Sequence, residues 1–386
     1  MIREAIISLL LTLTTTICSA QGFNLIVVGD PQPQTEAQMR SLEEDIAPLI
    51  GDIVAEYKAT NLPTAILLTG DVVWDTMEFL PRVKSLFESF GVPVYAVIGN
   101  HDHDRKIDGN EPLAESHYEA CFGERYYTFT MGDTKFFALD NIDYNNYYDY
   151  SLGISREQLR WLRREMRKTP DNQRIAILMH APASNFRKGE PIPYAKRLIR
   201  ITKGHELHFV TGHGHRHFTA DISDNVIEHS VAQVNGNLWF APMCADGTPR
   251  GVFCIEERNG NWQWHHRVLG KSADEALIVW KMDDKENSDN AIIIKAIGWD
   301  DRWQVEWFEN GESKGALESI EMCDPGYIYY VEHEAQYEDV IMERLRRSAL
   351  PSRGYFRCLP TKKNSEITII ATDRFGRKYI WKSATN

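Results

Sequence analysis

The chain has 386 residues, of which 43% are hydrophobic and 11% aromatic, and this length and composition suit two domains with buried cores. Its formal net charge of −12 at pH 7 excludes a general basic surface for a nucleic-acid scaffold or an anionic membrane. An acidic protein that acts on anionic substrates needs a local source of positive charge, for instance metal ions.

The N-terminal 20 residues predict a secretory signal peptide. Arg3 precedes an apolar run over 5–17, and small residues at 18–20 supply a cleavage site. The apolar run is shorter than the ~20 residues of a membrane span, and no other stretch reaches that length. We therefore expect a soluble periplasmic or secreted protein. A lipoprotein modified at Cys18 fits less well, because Ile17 precedes that cysteine.

Five short apolar runs end in polar residues and predict strands that are buried on both faces. They are NLIVVGD (24–30), TAILLTGD (64–71), VPVYAVIGNHD (92–102), RIAILMHAP (174–182) and HELHFVTGHGH (205–215). Amphipathic stretches between them predict helices over about 35–57, 77–90 and 155–168, the last with Ser155 as its N-cap. Alternation of strands and helices indicates an α/β core. Residues 126–141 predict a hairpin that turns at Gly132-Asp133.

The pattern changes after residue 251. Strand-like runs from about 276 to the C-terminus predict a small all-β domain of about seven strands, arranged as a sandwich. The runs are ALIVWKM, AIIIKAIGW, QVEWFENG, GYIYYVEH, GYFRCLP, EITIIATD and KYIWKS. We therefore expect a first domain over 21–250 and a second over 251–386, with the linker at about 247–262.

Five cysteines remain after the predicted cleavage, so at least one thiol is free or pairs between chains. Cys244 with Cys254 and Cys323 with Cys358 could form disulfides in an oxidising compartment. The sequence leaves this pairing open.

The residues at the predicted strand ends point to a metal site. They are Asp30, Gln32, Asp71, Asn100, His101, Asp102, His180, His213 and His215. In an open α/β sheet the carboxyl ends of the strands face one crevice. Hard oxygen donors and imidazoles that share one crevice are typical ligands of a divalent or trivalent metal ion.

The motifs GDPQ (29–32), TGDVVWD (69–75), GNHD (99–102), MHAP (179–182) and GHGH (212–215), in this order, resemble those of the calcineurin-like metallophosphoesterases. The resemblance covers about 23–245, and the Asp-Pro-Gln variant is similar to one branch of that superfamily. The stretches 245–251, 299–311 and 371–380 resemble the joint and the C-terminal β domain of exported bacterial members. The resemblance implies a β-sandwich core flanked by helices and followed by a small all-β domain.

The same resemblance implies a dinuclear centre of two divalent or trivalent ions, with Mn, Fe, Zn or Mg as candidates. Asp71 would bridge them; Asp30, Gln32 and His215 would complete one site, and Asn100, His180 and His213 the other. The ions would clamp the phosphoryl oxygens and lower the pKa of a bridging water, and the resulting hydroxide would attack phosphorus in line. His101 would stabilise or protonate the leaving oxygen while Asp102 orients its imidazole.

The function indicated is an exported, dimetal-dependent hydrolase of phosphate monoesters or diesters. The alternative is a binding protein with a vestigial metal site, whose β domain attaches to a glycan or a partner. His103, Arg187 and His217 are candidate substrate contacts. The aromatic stretch 141–150 reads either as a self-packed surface loop or as a substrate wall, and the tryptophans of the second domain as core residues or as sugar-stacking residues.

Overall fold

The structure is a computed structural model that describes residues 22–146, 148–185, 189–281 and 291–383. The predicted signal peptide lies outside the described residues. Within those ranges, none of the helices combines the length and the apolar character needed to cross a bilayer.

Two β-sheets form the centre of the first domain. Their strands, in chain order, are β1 (Gly22–Val28), β2 (Thr64–Leu68), β3 (Val94–Ala96), β4 (Tyr127–Met131), β5 (Thr134–Ala138), β6 (Ile142–Asn146), β7 (Asp149–Leu152), β8 (Arg174–Leu178), β9 (Leu207–Thr211), β10 (Phe218–Ser223), β11 (Val226–Ser230), β12 (Gly251–Arg258) and β13 (Asn261–Val268). One sheet has the order β13-β12-β1-β2-β3, and the other has the order β10-β11-β9-β8-β5-β4. Strands β6 and β7 pair separately as a hairpin.

Helices cover the outer faces of both sheets. They are α1 (Glu36–Ser41), α2 (Ala47–Lys58), α3 (Leu80–Glu88), α4 (Glu111–Ala114), α5 (Ser116–Phe122), α6 (Arg156–Met166) and α7 (Pro193–Ile201). A π-helical turn joins α1 to α2, so the helix predicted over 35–57 is continuous. The predicted cap of α6 is confirmed, because Ser155 Oγ accepts a hydrogen bond from the Gln158 amide at 3.2 Å.

Alternation along β1 explains why its sequence is apolar throughout. Leu25 and Val27 point into the core between the two sheets. Ile26 and Val28 point the other way, into the core beneath α1, α2 and α3. A strand covered on both faces needs apolar residues at every position, which is the pattern that predicted it. The β-sandwich flanked by helices is thus confirmed.

The topology brings the strand ends to one edge. In the first sheet β1, β2 and β3 run parallel, and in the second sheet β5, β8 and β9 do so. The polar motifs that follow these strands meet where the two sheets adjoin, because the His213 amide after β9 donates to Asp30 Oδ2 after β1 at 2.8 Å. The fold therefore gathers the residues that the sequence singled out.

The first sheet extends past the end predicted for the first domain. Residues 253–258 of β12 pair antiparallel with residues 22–27 of β1, and β13 pairs with β12. Residues 251–268, expected in the linker and the second domain, thus hydrogen bond into the first sheet. We propose that the domain boundary follows β13, because cutting before β12 would expose the edge of β1.

The second domain is a small β-sandwich with two inserted helices. Its strands are β14 (Leu277–Lys281), β15 (Ile292–Ala296), β16 (Gln304–Glu309), β17 (Glu312–Leu317), β18 (Ile320–Met322), β19 (Ser352–Cys358), β20 (Ile367–Thr372) and β21 (Lys378–Lys382). They form the sheets β14-β15-β19-β18 and β17-β16-β20-β21. Trp299, Trp303 and Trp307 pack against its core, as expected of core residues.

The strand predicted over 326–333 is wrong. Those residues lie in α8 (Pro325–Tyr329) and a following π-helical turn, and α9 (Asp339–Ser348) comes next. Asp324 caps α8 by accepting a hydrogen bond from the Tyr327 amide at 2.6 Å. A capping aspartate followed by proline at the first helical position favours helix initiation, and this outweighs the β-propensity of the tyrosines.

All five described cysteines are free thiols. Neither Cys244 with Cys254 nor Cys323 with Cys358 forms a disulfide in the structure.

Candidate metal centre

The predicted ligands converge on two adjacent clusters. Asp71, His180 and His213 form one, and Asp30, Asp71 and His215 form the other, with the ligand atoms of each cluster within 4.8 Å of one another. Asp71 belongs to both clusters. This is the partition expected of two metal sites joined by a bridging carboxylate.

Unusual backbone conformations aim these side chains. Five of the seven predicted ligands have a left-handed φ: Asp30 (35°), Gln32 (44°), Asp71 (47°), His213 (62°) and His215 (51°). Each such non-glycine residue costs roughly 1–3 kcal/mol and persists only where the surroundings enforce it. Neighbouring glycines allow the tight approach, since a Cβ at Gly99 would lie 2.1 Å from the Asp71 amide nitrogen.

His180 lies at the middle of the first cluster. Its Nε2 is 3.3 Å from Asp71 Oδ1, 3.2 Å from Asn100 Oδ1 and 3.1 Å from His213 Nδ1. Its Nδ1 lies 2.8 Å from the Thr69 carbonyl oxygen. A proton on Nδ1 bonded to that carbonyl leaves the Nε2 lone pair directed at the cluster, which is the usual arrangement of a metal-binding histidine.

The second cluster surrounds Asp30. Its Oδ2 accepts a hydrogen bond from the His213 amide at 2.8 Å and lies 3.6 Å from His215 Nε2. Gln32 Nε2 donates to Asp71 Oδ2 at 2.7 Å, and Gln233 donates to Gln32 Oε1. A half-turn of the Gln32 amide exchanges its nitrogen and oxygen, which would present the oxygen as a ligand.

Electrostatics in the clusters favour a bound cation. Burial raises the pKa of Asp30 to about 7. Burial also opposes ionisation of Asp71, yet His180 and His101 hold the pKa of this carboxyl below its usual range. The pKa of His180 rises to about 9, because Asp71 outweighs the opposing effect of burial. The buried carboxylates of Asp71 and Asp30 thus favour a positive charge at His180. A metal ion supplies that charge when it binds, and it competes with protons for the same imidazole nitrogen.

His213 and His215 have the opposite behaviour. Burial lowers the pKa of His213 to about 4, with a further contribution from His180. Burial likewise lowers the pKa of His215 to about 3. Both imidazoles are therefore neutral near pH 7, which is the protonation state that metal coordination requires. The donor set consequently fits two ions that are bound by imidazole nitrogen and carboxylate or amide oxygen.

His101 is held beside the clusters by Asp75 rather than by Asp102. The His101 amide donates to Asp71 Oδ1 at 2.8 Å, and His101 Nδ1 lies 2.9 Å from Asp75 Oδ1. Burial lowers the pKa of His101, but the carboxylates of Asp71 and Asp75 outweigh it and raise the pKa above its ordinary value. The role predicted for Asp102 is wrong, because its two oxygens accept hydrogen bonds from the Val73 and Gly99 amides.

The candidate substrate contacts lie elsewhere. His103 is fully buried, with Nδ1 3.0 Å from the Gly99 carbonyl oxygen and its ring stacked on Tyr144, so this side chain cannot line an open pocket. The His217 ring packs 5.0 Å from that of Phe253 and lines a cavity of about 200 Å³ between the domains, away from the two clusters. Arg187 lies outside the described residues.

The roles of several residues around the clusters were only weakly indicated by the sequence. Asp75 ends the quoted motif TGDVVWD, but nothing there distinguishes it from Asp102 as the partner of His101. Asn235 Nδ2 donates to the Pro31 carbonyl oxygen at 2.8 Å and supports the loop that carries Asp30. Tyr150, in the aromatic stretch left open by the sequence, lines a cavity with Asn100 and His101. Tyr150 thus forms one wall of this cavity.

Two protein-family models match the sequence. "Calcineurin-like phosphoesterase" matches residues 23–217, and "C terminal of Calcineurin-like phosphoesterase" matches residues 228–379. A search of curated proteins finds no match.

Solved structures with a similar fold include two phosphatases and a nucleotidase. A dimetal phosphatase from Danio rerio is 13% identical, with a TM-score of 0.41, and the match covers 71% of this chain and 95% of that one. A purple acid phosphatase from yellow lupin seeds is 13% identical, with a TM-score of 0.46, over 64% of this chain and 51% of that one. A 5'-nucleotidase from Candida albicans is 13% identical, with a TM-score of 0.38, over 61% and 47%.

Proposed function

We propose that the chain, which belongs to the calcineurin-like phosphoesterase family, is an exported enzyme that hydrolyses phosphate monoesters or diesters with two metal ions. The observation that carries this proposal is the pair of ligand clusters that share Asp71. The left-handed backbone of five predicted ligands supports it, because such strain is typical of functional sites.

Seven residues would hold the ions. Asp30, Gln32 and His215 would bind one, Asn100, His180 and His213 the other, and Asp71 both. When bound, the two ions, with Mn, Fe, Zn and Mg as candidates, supply positive charge to the phosphoryl oxygens and activate water as the nucleophile. The remaining groups orient these ligands: the Thr69 carbonyl oxygen fixes the His180 tautomer, and the His213 amide holds Asp30.

His101 would transfer the proton to the leaving oxygen. Its Nδ1 is bound to Asp75, and its backbone amide to Asp71, so the ring has a fixed orientation beside the clusters. The carboxylate of Asp75 favours the protonated imidazole, which leaves Nε2–H as the donor. General acid catalysis of this kind contributes about 10²–10⁴-fold to the rate.

The predicted signal peptide supports activity in the periplasm or outside the cell. Substrates there include nucleotides, phosphorylated glycans and lipid head groups. The dinuclear core suits monoesters and diesters alike, so preference between them would come from the surrounding side chains.

Metal analysis combined with a substrate panel tests the proposal. We expect purified protein to bind two metal ions per chain and, with Mn²⁺ added, to hydrolyse an aryl phosphate monoester, an aryl phosphate diester or both. Protein that retains less than one ion per chain and is inactive on both substrates with each candidate metal would contradict it.

A further inference from the structure

A cavity of about 230 Å³ opens beside the candidate metal centre, and both domains line it. Trp74, Asn100, His101 and Tyr150 come from the first domain, and Arg344 comes from α9 of the second. The cavity thus reaches the residue proposed to protonate the leaving oxygen. A group in this cavity would be part of the leaving alcohol of a bound phosphate ester.

Stacked side chains position the Arg344 guanidinium over this cavity. Its central carbon lies 4.7 Å from the centre of the Trp74 ring. The Trp74 ring in turn stacks on the His101 imidazole, with ring centres 4.4 Å apart and an interplanar angle of 30°. A guanidinium over an indole face is attracted by the negative face of the ring, so this contact restrains the side chain. Arg344, Trp74 and the proposed proton donor His101 therefore form one continuous stack.

Helix α9 packs against the first domain, which holds its side chains in fixed positions. Met342 and Leu345, on either side of Arg344, are buried in a cluster with Ala241 and Ala245 of the first domain. Arg216 Nη2 also donates to the carbonyl oxygen of Ser348, the last residue of α9, at 3.2 Å. Because the helix is fixed on two sides, the direction of Arg344 follows from the fold.

The chemistry of the cavity suits an anionic group. Trp74 and Tyr150 provide aromatic walls, and Arg344 is the one lysine or arginine among the described lining residues. A guanidinium pairs with a carboxylate or phosphate through two parallel hydrogen bonds. Such a cation would bind charge on the part of a substrate that two metal ions do not contact.

We propose that this cavity is a leaving-group subsite, in which Arg344 binds an oxyanion carried by the alcohol of the phosphate ester. The inference rests on the proposed phosphoesterase function and narrows its substrate class to esters with an anionic leaving group. It also assigns a role to the second domain, which completes the active site through α9.

Two matched substrates test the subsite. The full chain, loaded with Mn²⁺, is assayed on 3-carboxyphenyl phosphate and on 3-carbamoylphenyl phosphate, which are similar in shape but differ by one charge. We expect wild-type kcat/KM to favour the carboxylate by about tenfold, because hydrogen bonds from a guanidinium to a charged carboxylate are stronger than those to a neutral amide. Arg344→Gln should bring this ratio to about one, and Arg344→Lys should keep part of it.

Arg347→Gln is the matched control, because Arg347 is an exposed residue of the same helix that pairs with Glu343. It should leave the ratio unchanged. Raising the ionic strength provides a measurement without a variant: the wild-type preference should fall severalfold as salt screens a partly exposed pair. The inference is overturned if wild type shows no preference, if the preference is independent of salt, or if folded Arg344→Gln retains it. Inactivity of wild type on both substrates and on an aryl phosphate diester, with every candidate metal, contradicts the proposed function itself, and the inference with it; an enzyme active on diesters alone is compared on the methyl diesters of the same two phenols.

Discussion

The two domains are both β-sandwiches, but they differ in the backbone at their strand ends. In the first domain, five buried or half-buried ligand candidates after β1, β2 and β9 have a left-handed φ. Among the described residues of the second domain, Asn310 (φ 51°) is the one non-glycine residue with such a φ. It lies in the tight turn between β16 and β17, followed by Gly311. Asn-Gly is a common pair in such hairpin turns.

The comparison distinguishes a strained backbone that orients candidate metal ligands from a left-handed residue that only forms a turn. Asparagine adopts the left-handed conformation at low cost, because its short polar side chain bonds locally. His213 and His215 have no such compensation, so the rest of the fold must hold them. At the strand ends of the described residues, a left-handed φ falls either on asparagines in turns, such as Asn259 and Asn310, or on the ligand candidates and Asp75 in their loops. Leu238 and Trp239, which also have such a φ, lie in a loop that follows no strand directly. The backbone conformation thus distinguishes the functional strand ends from the structural ones.

The largest expected effect comes from Asp71→Asn. Asparagine keeps the shape of the side chain and tolerates the φ of 47°, so the fold should survive. The shared carboxylate of both clusters is lost, and we expect kcat/KM for aryl phosphates to fall by more than about 10³-fold, because even one transition-state donor contributes about 10²–10³-fold. Steady-state kinetics and thermal unfolding measure the two effects. Activity within tenfold of wild type would refute the bridging role.

Asp75→Asn and Asp102→Asn should separate catalysis from stability. Loss of the Asp75 carboxylate makes protonation of His101 less favourable. We therefore expect kcat/KM for aryl phosphates to fall by about 10–100-fold, which is the range for removing a residue that orients an active-site side chain. The loss should be greater for phenyl phosphate than for 4-nitrophenyl phosphate, whose better leaving group needs less protonation.

Asp102→Asn is the comparison variant, because the two oxygens of Asp102 accept hydrogen bonds from the backbone amides of Val73 and Gly99. It should lower the unfolding temperature without this dependence on the leaving group. The assignment of Asp75 fails if Asp102→Asn produces the leaving-group dependence and Asp75→Asn does not.

The sequence predicted the strand ends well because that signal is local. Each run that is apolar at every position ends in its polar motif, and parallel pairing places those ends at one edge. The features it missed depend on distant partners. Strand β12 joins β1 across most of the first domain, and Arg344 reaches Trp74 from the second domain. Neither pairing leaves a pattern in the neighbouring residues.

The partner of His101 was missed for a different reason. Two aspartates, Asp75 and Asp102, lie close to it in the predicted loops, and the sequence favoured the adjacent one. The left-handed backbone at Asp75 (φ 55°), and the hydrogen bond from its amide to the His101 carbonyl oxygen at 3.1 Å, place its carboxylate beside the ring. Such a conformation at a non-glycine residue is set by tertiary contacts and cannot be read from residue type.

A buried carboxylate behind the strained strand ends should make stability depend on pH. Glu228 Oε1 accepts hydrogen bonds from the Ala183 amide at 2.6 Å and from Thr211 Oγ1 at 3.0 Å, which ties the loop after His180 to the end of β9. Burial raises the pKa of Glu228 from 4.5 to about 7, although these hydrogen bonds lower it. The folded protein therefore holds a proton that the unfolded chain releases.

Because the unfolded chain binds fewer protons between pH 4.5 and about 7, stability should fall as pH rises through this window. Glu228→Gln removes the group, so the free energy of unfolding of wild type relative to this variant should drop by up to about 3 kcal/mol from pH 4 to pH 8, at about 1.4 kcal/mol per pKa unit. Denaturant unfolding across that range measures it. Glu306→Gln, at an exposed position of β16, is the control, and a constant difference for Glu228→Gln would contradict the prediction.

The smallest expected effect is at the turn of the second domain. Alanine at position 310 tolerates a left-handed φ less well than asparagine and loses the hydrogen bond that Asn310 Oδ1 accepts from the Glu366 amide at 3.0 Å, so Asn310→Ala should lower the free energy of unfolding by about 1 kcal/mol. Activity on aryl phosphates should stay at the wild-type level, because this turn carries no ligand. Asn310→Gly should restore part of the stability, since glycine adopts this conformation without strain but does not replace the acceptor for the Glu366 amide. If Asn310→Ala changes activity as much as it changes stability, left-handed backbone alone does not distinguish site from turn, and the contrast between the two domains fails.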